Sequence, residues 1–233
     1  MARSRREFLA MTGSVGMAAL AAGWPAVARA EASKPSGGKE PRISAPEDLM
    51  REHGVLDRLL LVYEEGVRRL RAKRDVPGEA FQRSAQVIRT FIEDYHEQVE
   101  EQLVFPELMR HGRLKELVDV LVSQHAAGRR LTDAILRTTT SVAYAEPRSR
   151  AELAASIDAF VRMYRPHEAF EETIVFPAIY GVVATHDLAE LGEKAEEQEE
   201  RRLGQGGFER TVAEVAAIEK LVDLGDLARF TPK

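Results

Sequence analysis

The sequence predicts an all-α protein, an up-down-up-down four-helix bundle followed by one or two further helices. Three observations carry that prediction. Apolar residues recur in steps of three and four over four segments, Pro and Gly stand between the segments, and a pattern His-x3-Glu-Glu-x3-Phe-Pro occurs twice, from His96 to Pro106 and from His167 to Pro177. Amphipathic segments joined by short connections bury their apolar stripes by facing one another.

Taken in order, residues 1–30 read as an export signal rather than as part of the bundle. Ser4-Arg5-Arg6-Glu7-Phe8-Leu9 is followed by an uncharged stretch from Leu9 to Ala28 and by Ala28-Arg29-Ala30, an A-x-A cleavage site. The segment resembles a bacterial twin-arginine signal, with Ala10 where a Lys is common, and so predicts a periplasmic or otherwise exported protein. The competing reading is an uncleaved membrane anchor, which Gly13, Gly16, Gly23, Pro25 and many Ala make only weakly apolar. A linker spans 31–44, the bundle 45–185 and a helical extension 186–233.

The first bundle helix starts at Pro46 and turns Leu49, His53, Leu56, Leu60, Tyr63, Val67 and Leu70 to one side. Pro77-Gly78 ends it. The second helix directs Phe81, Ala85, Ile88, Ile92, His96, Val99 and Leu103 inward, and His111-Gly112 marks the next turn. The third carries Leu114, Val118, Leu121, His125, Gly128, Thr132 and Ile135, up to a loop around Glu146-Pro147. The fourth has the cleanest stripe: Leu153, Ile157, Phe160, Tyr164, His167, Glu171, Ile174 and Ala178. Pro106 and Pro177 fall about a turn and a half beyond the glutamates and are expected to kink or end their helices. A charged run from Glu193 to Arg202 reads as a solvated face; after Gly204-Gln205-Gly206-Gly207 a last helix presents Phe208, Val212, Val215, Ile218 and Leu221 to the outside of the bundle.

Composition bounds the chemistry. The chain has 233 residues, 44 % hydrophobic and 30 % charged, and no cysteine, which excludes disulfides, thiolate metal sites and iron–sulfur clusters. The net charge of −5 becomes about −8 without residues 1–30, and that balance excludes a nucleic-acid partner.

Six polar residues interrupt the apolar stripes. His53 lies 43 positions before His96 and His125 lies 42 before His167, so each repeat is a helix with one His, then a helix with His-x3-Glu. His96 with Glu100, and His167 with Glu171, each offer a nitrogen and an oxygen on one helix face. An isolated buried imidazole or carboxylate costs several kcal/mol, about 3–5 if unpaired, and six aimed at one interior call for a shared partner. A pair of cations meets that need, with iron or manganese suited to nitrogen and oxygen ligands and zinc possible. Glu101 and Glu172 read as surface or supporting groups, Tyr63, Tyr95 and Tyr164 as core aromatics or hydrogen-bond donors, and His111 and His186 as solvated.

The doubled motif with its upstream histidines resembles the hemerythrin-like (HHE cation-binding) family over about residues 45 to 185. The resemblance implies a non-haem di-iron centre in a four-helix bundle, with His53 and His125 as lone helix ligands, His96 and His167 as their partners, and Glu100 and Glu171 as bridges. Oxygen-carrying hemerythrins have a second histidine where this chain has Arg129, and their last carboxylate stands where this chain has Glu172; Glu171 is preferred because it mirrors the first repeat. The set of four His and two Glu is more similar to the branch linked to repair of damaged iron centres and to nitric-oxide or peroxide stress. It implies that each iron is short of six ligands, open to O2, nitric oxide or peroxide, and supplied by an electron donor that the sequence does not identify. The small residues Ala126, Ala127 and Gly128 beside His125 fit either a gas channel or a close helix approach. The function expected is binding or reduction of a small oxidant, the alternative an iron-holding, delivery or sensing module without turnover.

Overall fold

The computed structural model describes residues 43–232, so the signal-like segment, most of the linker and Lys233 lie outside the described residues. Every regular element among the described residues is a helix. Helix α1 is Ala45–Arg71. Helix α2 runs continuously over residues 78–110 and changes pitch on the way, with π-helical turns at Ile88–His96 and Glu100–Val104. Helix α3 is Lys115–Thr138, α4 the short Ser141–Ala145, and α5 spans residues 147–179 with a π turn at Glu171–Val175. The extension contains α6, Thr185–Leu203, and α7, Gly207–Leu221, before a last 3-10 turn at Leu227–Phe230.

Local chemistry sets the boundaries. The Glu47 carboxylate accepts the Ser44 N–H at 2.9 Å, Pro46 occupies the first turn of α1, and Arg68, Arg69 and Arg71 complement the helix dipole at its end. Gly78 opens α2 where a Cβ would stand 2.8 Å from the Tyr144 ring, and that tyrosine donates to the Val76 carbonyl at 2.7 Å. Gly112 at φ 62° and Leu114 at φ 54° turn the chain into α3.

Each of α1, α2, α3 and α5 packs on the helix before and after it, and α5 closes the ring against α1. Leu56, Leu59, Leu60, Phe81, Ile92, Leu121, Ile157 and Phe160 are among the fully enclosed side chains between them. Helices α6 and α7 lie over α1 and α2, and Val215 and Ile218 of α7 reach 0 % exposure, so this helix extends the core instead of merely coating it. Glu199, inside the run read as a solvated face, is buried and accepts the Phe208 N–H at 2.7 Å, which caps α7. No helix among the described residues is long and apolar enough to cross a membrane.

The π turns narrow one expectation and correct another. Of the kink or end expected at the prolines, neither Pro106 nor Pro177 brings the end: each comes just after a π turn, Glu100–Val104 or Glu171–Val175, and the wider turn accommodates the missing N–H and the ring of the proline. The extra residue in each turn also rotates the remainder of the helix by one position. Val104 and Val175, both 0 % exposed, take the inward places expected of Leu103 and Ile174, and Ile174 is left 38 % exposed.

Candidate metal centre

The four bundle helices bring His53, His96, Glu100, His125, His167 and Glu171 into one enclosed space, each no more than 4 % exposed. Glu100 and Glu171 begin π turns and His96 ends one, so the helical pitch departs from 3.6 where these side chains must converge. His53, His96 and Glu100 form one group whose ligand-type atoms lie within 4.8 Å of one another; His125, His167 and Glu171 form a second. The carboxylates join the groups. Glu100 sets one oxygen 3.6 Å from His96 Nε2 and the other 3.4 Å from His125 Nε2, while Glu171 Oε2 lies 3.2 Å from His167 Nε2 and 3.4 Å from His53 Nε2.

All four imidazoles point Nε2 inward and anchor Nδ1 outward. His53 Nδ1 lies 3.3 Å from Glu172, His96 Nδ1 2.8 Å from Glu52, His125 Nδ1 2.9 Å from Glu101, and His167 Nδ1 2.8 Å from the side-chain oxygen of Gln124. Each of these partners presents an accepting oxygen, so the ring proton is drawn to Nδ1 and the Nε2 lone pair is left facing the interior. Phe176 stacks on His53 with centroids 5.5 Å apart and Phe105 on His125 at 5.9 Å, so the Phe of each Phe-Pro pair covers the lone histidine of the other repeat.

Whether a cation fits is decided by what the site lacks. Both oxygens of Glu100 and both of Glu171 are buried without a hydrogen-bond partner among the described residues. His125 and His167 bring their Nε2 atoms to 3.2 Å, where two neutral lone pairs would repel. Without a cation the site relieves this by holding protons. Burial opposes protonation of His53, but Glu171 and Glu172 outweigh it and raise this imidazole to about 9. His96 and His125 are likewise raised against burial, by Glu100 with Glu52 and by Glu101 respectively. Burial alone would push the Glu171 carboxyl up, yet His167 and His53 hold it well below the usual carboxylate range. Divalent cations held on nitrogen and oxygen would replace those protons and satisfy the four orphaned oxygens, so the residues present fit a cation pair.

The side chains whose roles the sequence left open take distinct places. Glu171 points inward at 0 % exposure, whereas the Glu172 side chain is 42 % exposed and meets His53 from outside. The Arg129 guanidinium turns away from the enclosed space to Glu97 at 2.6 Å and Glu101 at 3.0 Å. Two of the three tyrosines are donors: Tyr95 to Glu52 at 2.8 Å and Tyr164 to Glu97 at 2.7 Å, while the Tyr63 hydroxyl is buried without a hydrogen-bond partner among the described residues. Gly128 gives no opening, because the Tyr164 ring fills the space beside it, with Cζ 2.8 Å from where a Cβ would be. His111 and His186 are exposed and stand apart from the group.

Sequence reasoning missed Glu52, Glu93, Glu97, Gln124 and Glu168. Glu52, Glu97 and Glu168 flank a ligand-type residue in sequence, so the helical stripe leaves them outside the inward set, yet all three are buried. Burial raises Glu168 to about 8 and Glu93 to about 7. Adjacency to His53 and His125 was the one signal for Glu52 and Gln124.

Comparison with known proteins agrees with this geometry. The hemerythrin HHE cation-binding domain family matches residues 44–179. Uncharacterized proteins of Mycobacterium bovis and of two Mycobacterium tuberculosis strains are each 46 % identical to this chain over 225 residues, covering 93 % of it and 88 % of their own length. No solved structure matches. With two His/Glu groups suited to cations inside a bundle that spans the matched residues, the chain belongs to the hemerythrin HHE cation-binding domain family.

Proposed function

We propose that His53, His96, Glu100, His125, His167 and Glu171 hold two iron ions, and that the protein binds or reduces a small oxidant such as O2, nitric oxide or peroxide. The observation that carries this reading is the set of four partnerless oxygens of Glu100 and Glu171 facing four inward Nε2 atoms. Bound there, a redox-active cation pair supplies one-electron steps and coordination positions for a small molecule. The chain does the rest. Glu100 and Glu171 each reach histidines of both groups and would hold the cations with them, the Nδ1 contacts fix the rings, and Phe105 and Phe176 keep water off the lone histidines.

Closure limits the ligand to a few atoms, since no member of the site is more than 4 % exposed. Arg129, tied to Glu97 and Glu101, donates nothing to the cations, which leaves a smaller ligand set than that of the oxygen carriers and favours redox chemistry over controlled carriage. The same closure favours a second reading, a module that holds, delivers or senses iron without turnover. In either reading we propose, from the signal-like sequence of residues 1–30, that the protein is exported, with a membrane contact only through an uncleaved signal.

Metal analysis and an optical spectrum of gently purified protein test the centre. Transition metal is expected, with added iron raising thermal resistance; protein without metal and without that gain overturns the reading. Ferrous protein exposed to O2 or nitric oxide and then purged distinguishes reversible binding, by full spectral recovery, from reduction. Steady-state peroxide assays should show activity in wild type that is lost in His96→Ala, whereas inactive wild-type protein leaves the holding module.

A further inference from the structure

The two repeats superpose their roles but not their charges, and the difference falls on the residue before each lone histidine. Glu52, preceding His53, accepts the His96 Nδ1–H at 2.8 Å; Gln124, preceding His125, accepts the His167 Nδ1–H at the same 2.8 Å. The first acceptor is a carboxylate buried to 1 % exposure and held on its other oxygen by Tyr95 at 2.8 Å. The second is a neutral amide. The remaining two contacts both use carboxylates and do not set the halves apart: Glu172 lies 3.3 Å from His53 Nδ1, and Glu101 lies 2.9 Å from His125 Nδ1 and shares the Arg129 guanidinium with Glu97.

A carboxylate on the outer nitrogen makes the inner nitrogen a stronger donor, because it stabilises the positive charge that the ring acquires when Nε2 gives its lone pair to a cation. An amide oxygen orients the ring without that charge. Resting on the cation-pair reading above, we infer that the two positions are unequal: the one at His53, His96 and Glu100 takes a divalent cation first and more tightly, and the one at His125, His167 and Glu171 is the exchangeable position. Glu52 and Gln124 are the positioning residues that set the order. A protein whose second cation is the looser one can lose or accept it while the first keeps the bundle assembled.

The test uses metal-free full-length protein titrated with Co(II), read by calorimetry and by the visible absorbance of the bound ion. Wild type should take up Co(II) in two steps. Because two adjacent cations repel, unequal steps alone do not establish the order, so the variants decide. Glu52→Gln should weaken the first step about 10- to 100-fold and leave the second nearly unchanged. Gln124→Glu should tighten the second and leave the first, and this reciprocal gain keeps the test decisive should Glu52→Gln fold poorly. His167→Gln should remove the second step and keep the first. Two steps that respond alike to Glu52→Gln and Gln124→Glu, or a Glu52→Gln effect confined to the second step, overturn the inference while sparing the site. Wild-type protein that takes up no Co(II) overturns the site and the order together.

Discussion

His125 Nδ1 lies 2.9 Å from Glu101 Oε1, and this contact fastens the lone histidine of the second repeat to a glutamate of the first. Its counterpart is His53 on Glu172, where the first repeat leans on the second. The inward contacts cross in the same way, His125 to Glu100 and His53 to Glu171, so neither helix pair completes the site alone. That mutual dependence links the chemistry of the centre to the stability of the whole bundle.

Replacing Glu100 should therefore affect both. Its two oxygens are buried without a hydrogen bond among the described residues and face His96 Nε2 at 3.6 Å and His125 Nε2 at 3.4 Å, and in the metal-free protein this carboxylate helps to hold the buried His96 protonated. Removing one partner of a buried charged pair is destabilising, so metal-free Glu100→Leu is expected to be less stable than metal-free wild type, by about 3 kcal/mol, and to gain nothing when iron is added. Thermal unfolding with and without iron checks both halves.

Cation uptake should release protons. His53 is raised to about 9, and His96 and His125 are raised as well, so at pH 7 their inward nitrogens must give up protons to become ligands. In the metal-free protein the stability from protonated His53 is complete below its ordinary 6.5 and is lost as pH rises through about 9. Calorimetric titration in two buffers of different ionisation enthalpy should show about one to three protons released per chain, and apparent affinity should climb from pH 6 to pH 9.

Glu93 gives a stability effect outside the ligand set. Burial outweighs the Thr132 hydrogen bond at 2.5 Å and the Arg89 contact at 2.9 Å, and raises its carboxyl from 4.5 to about 7. The folded chain thus holds a proton that the unfolded chain has released, so this contribution is complete below 4.5 and is lost as pH rises through about 7. Glu93→Gln should be more stable than wild type at pH 8 by up to about 3 kcal/mol, with the advantage vanishing near pH 4.5. Parallel denaturation curves across that range measure it.

A methyl group at Gly128 should disturb the interior beside His167. It would meet the Tyr164 hydroxyl and its Cζ at 2.8 Å, displacing the ring from Glu97 and from its edge-on contact with His167, centroids 5.3 Å apart. Gly128→Ala is expected to cost about 1–3 kcal/mol, and Tyr164→Phe in that background to recover part of it. Equal stability of Gly128→Ala and wild type would show that the helices part more easily than this packing implies.

The sequence by itself determined the four helices and the six converging side chains, because helical periodicity and an internal repeat are local properties and a polar residue in an apolar stripe is visible without a partner. Two features lay beyond that reading. The turn-by-turn register after Glu100 and Glu171 shifts because a π turn inserts one residue, which a fixed 3.6 period cannot anticipate at Val104 and Val175. The outer contacts of Glu52, Glu97 and Gln124 depend on how neighbouring helices rotate about their axes, and these side chains stand one step off the stripe. Only packing of the whole bundle turns them toward the centre, so the charge that distinguishes its two halves is decided by tertiary structure.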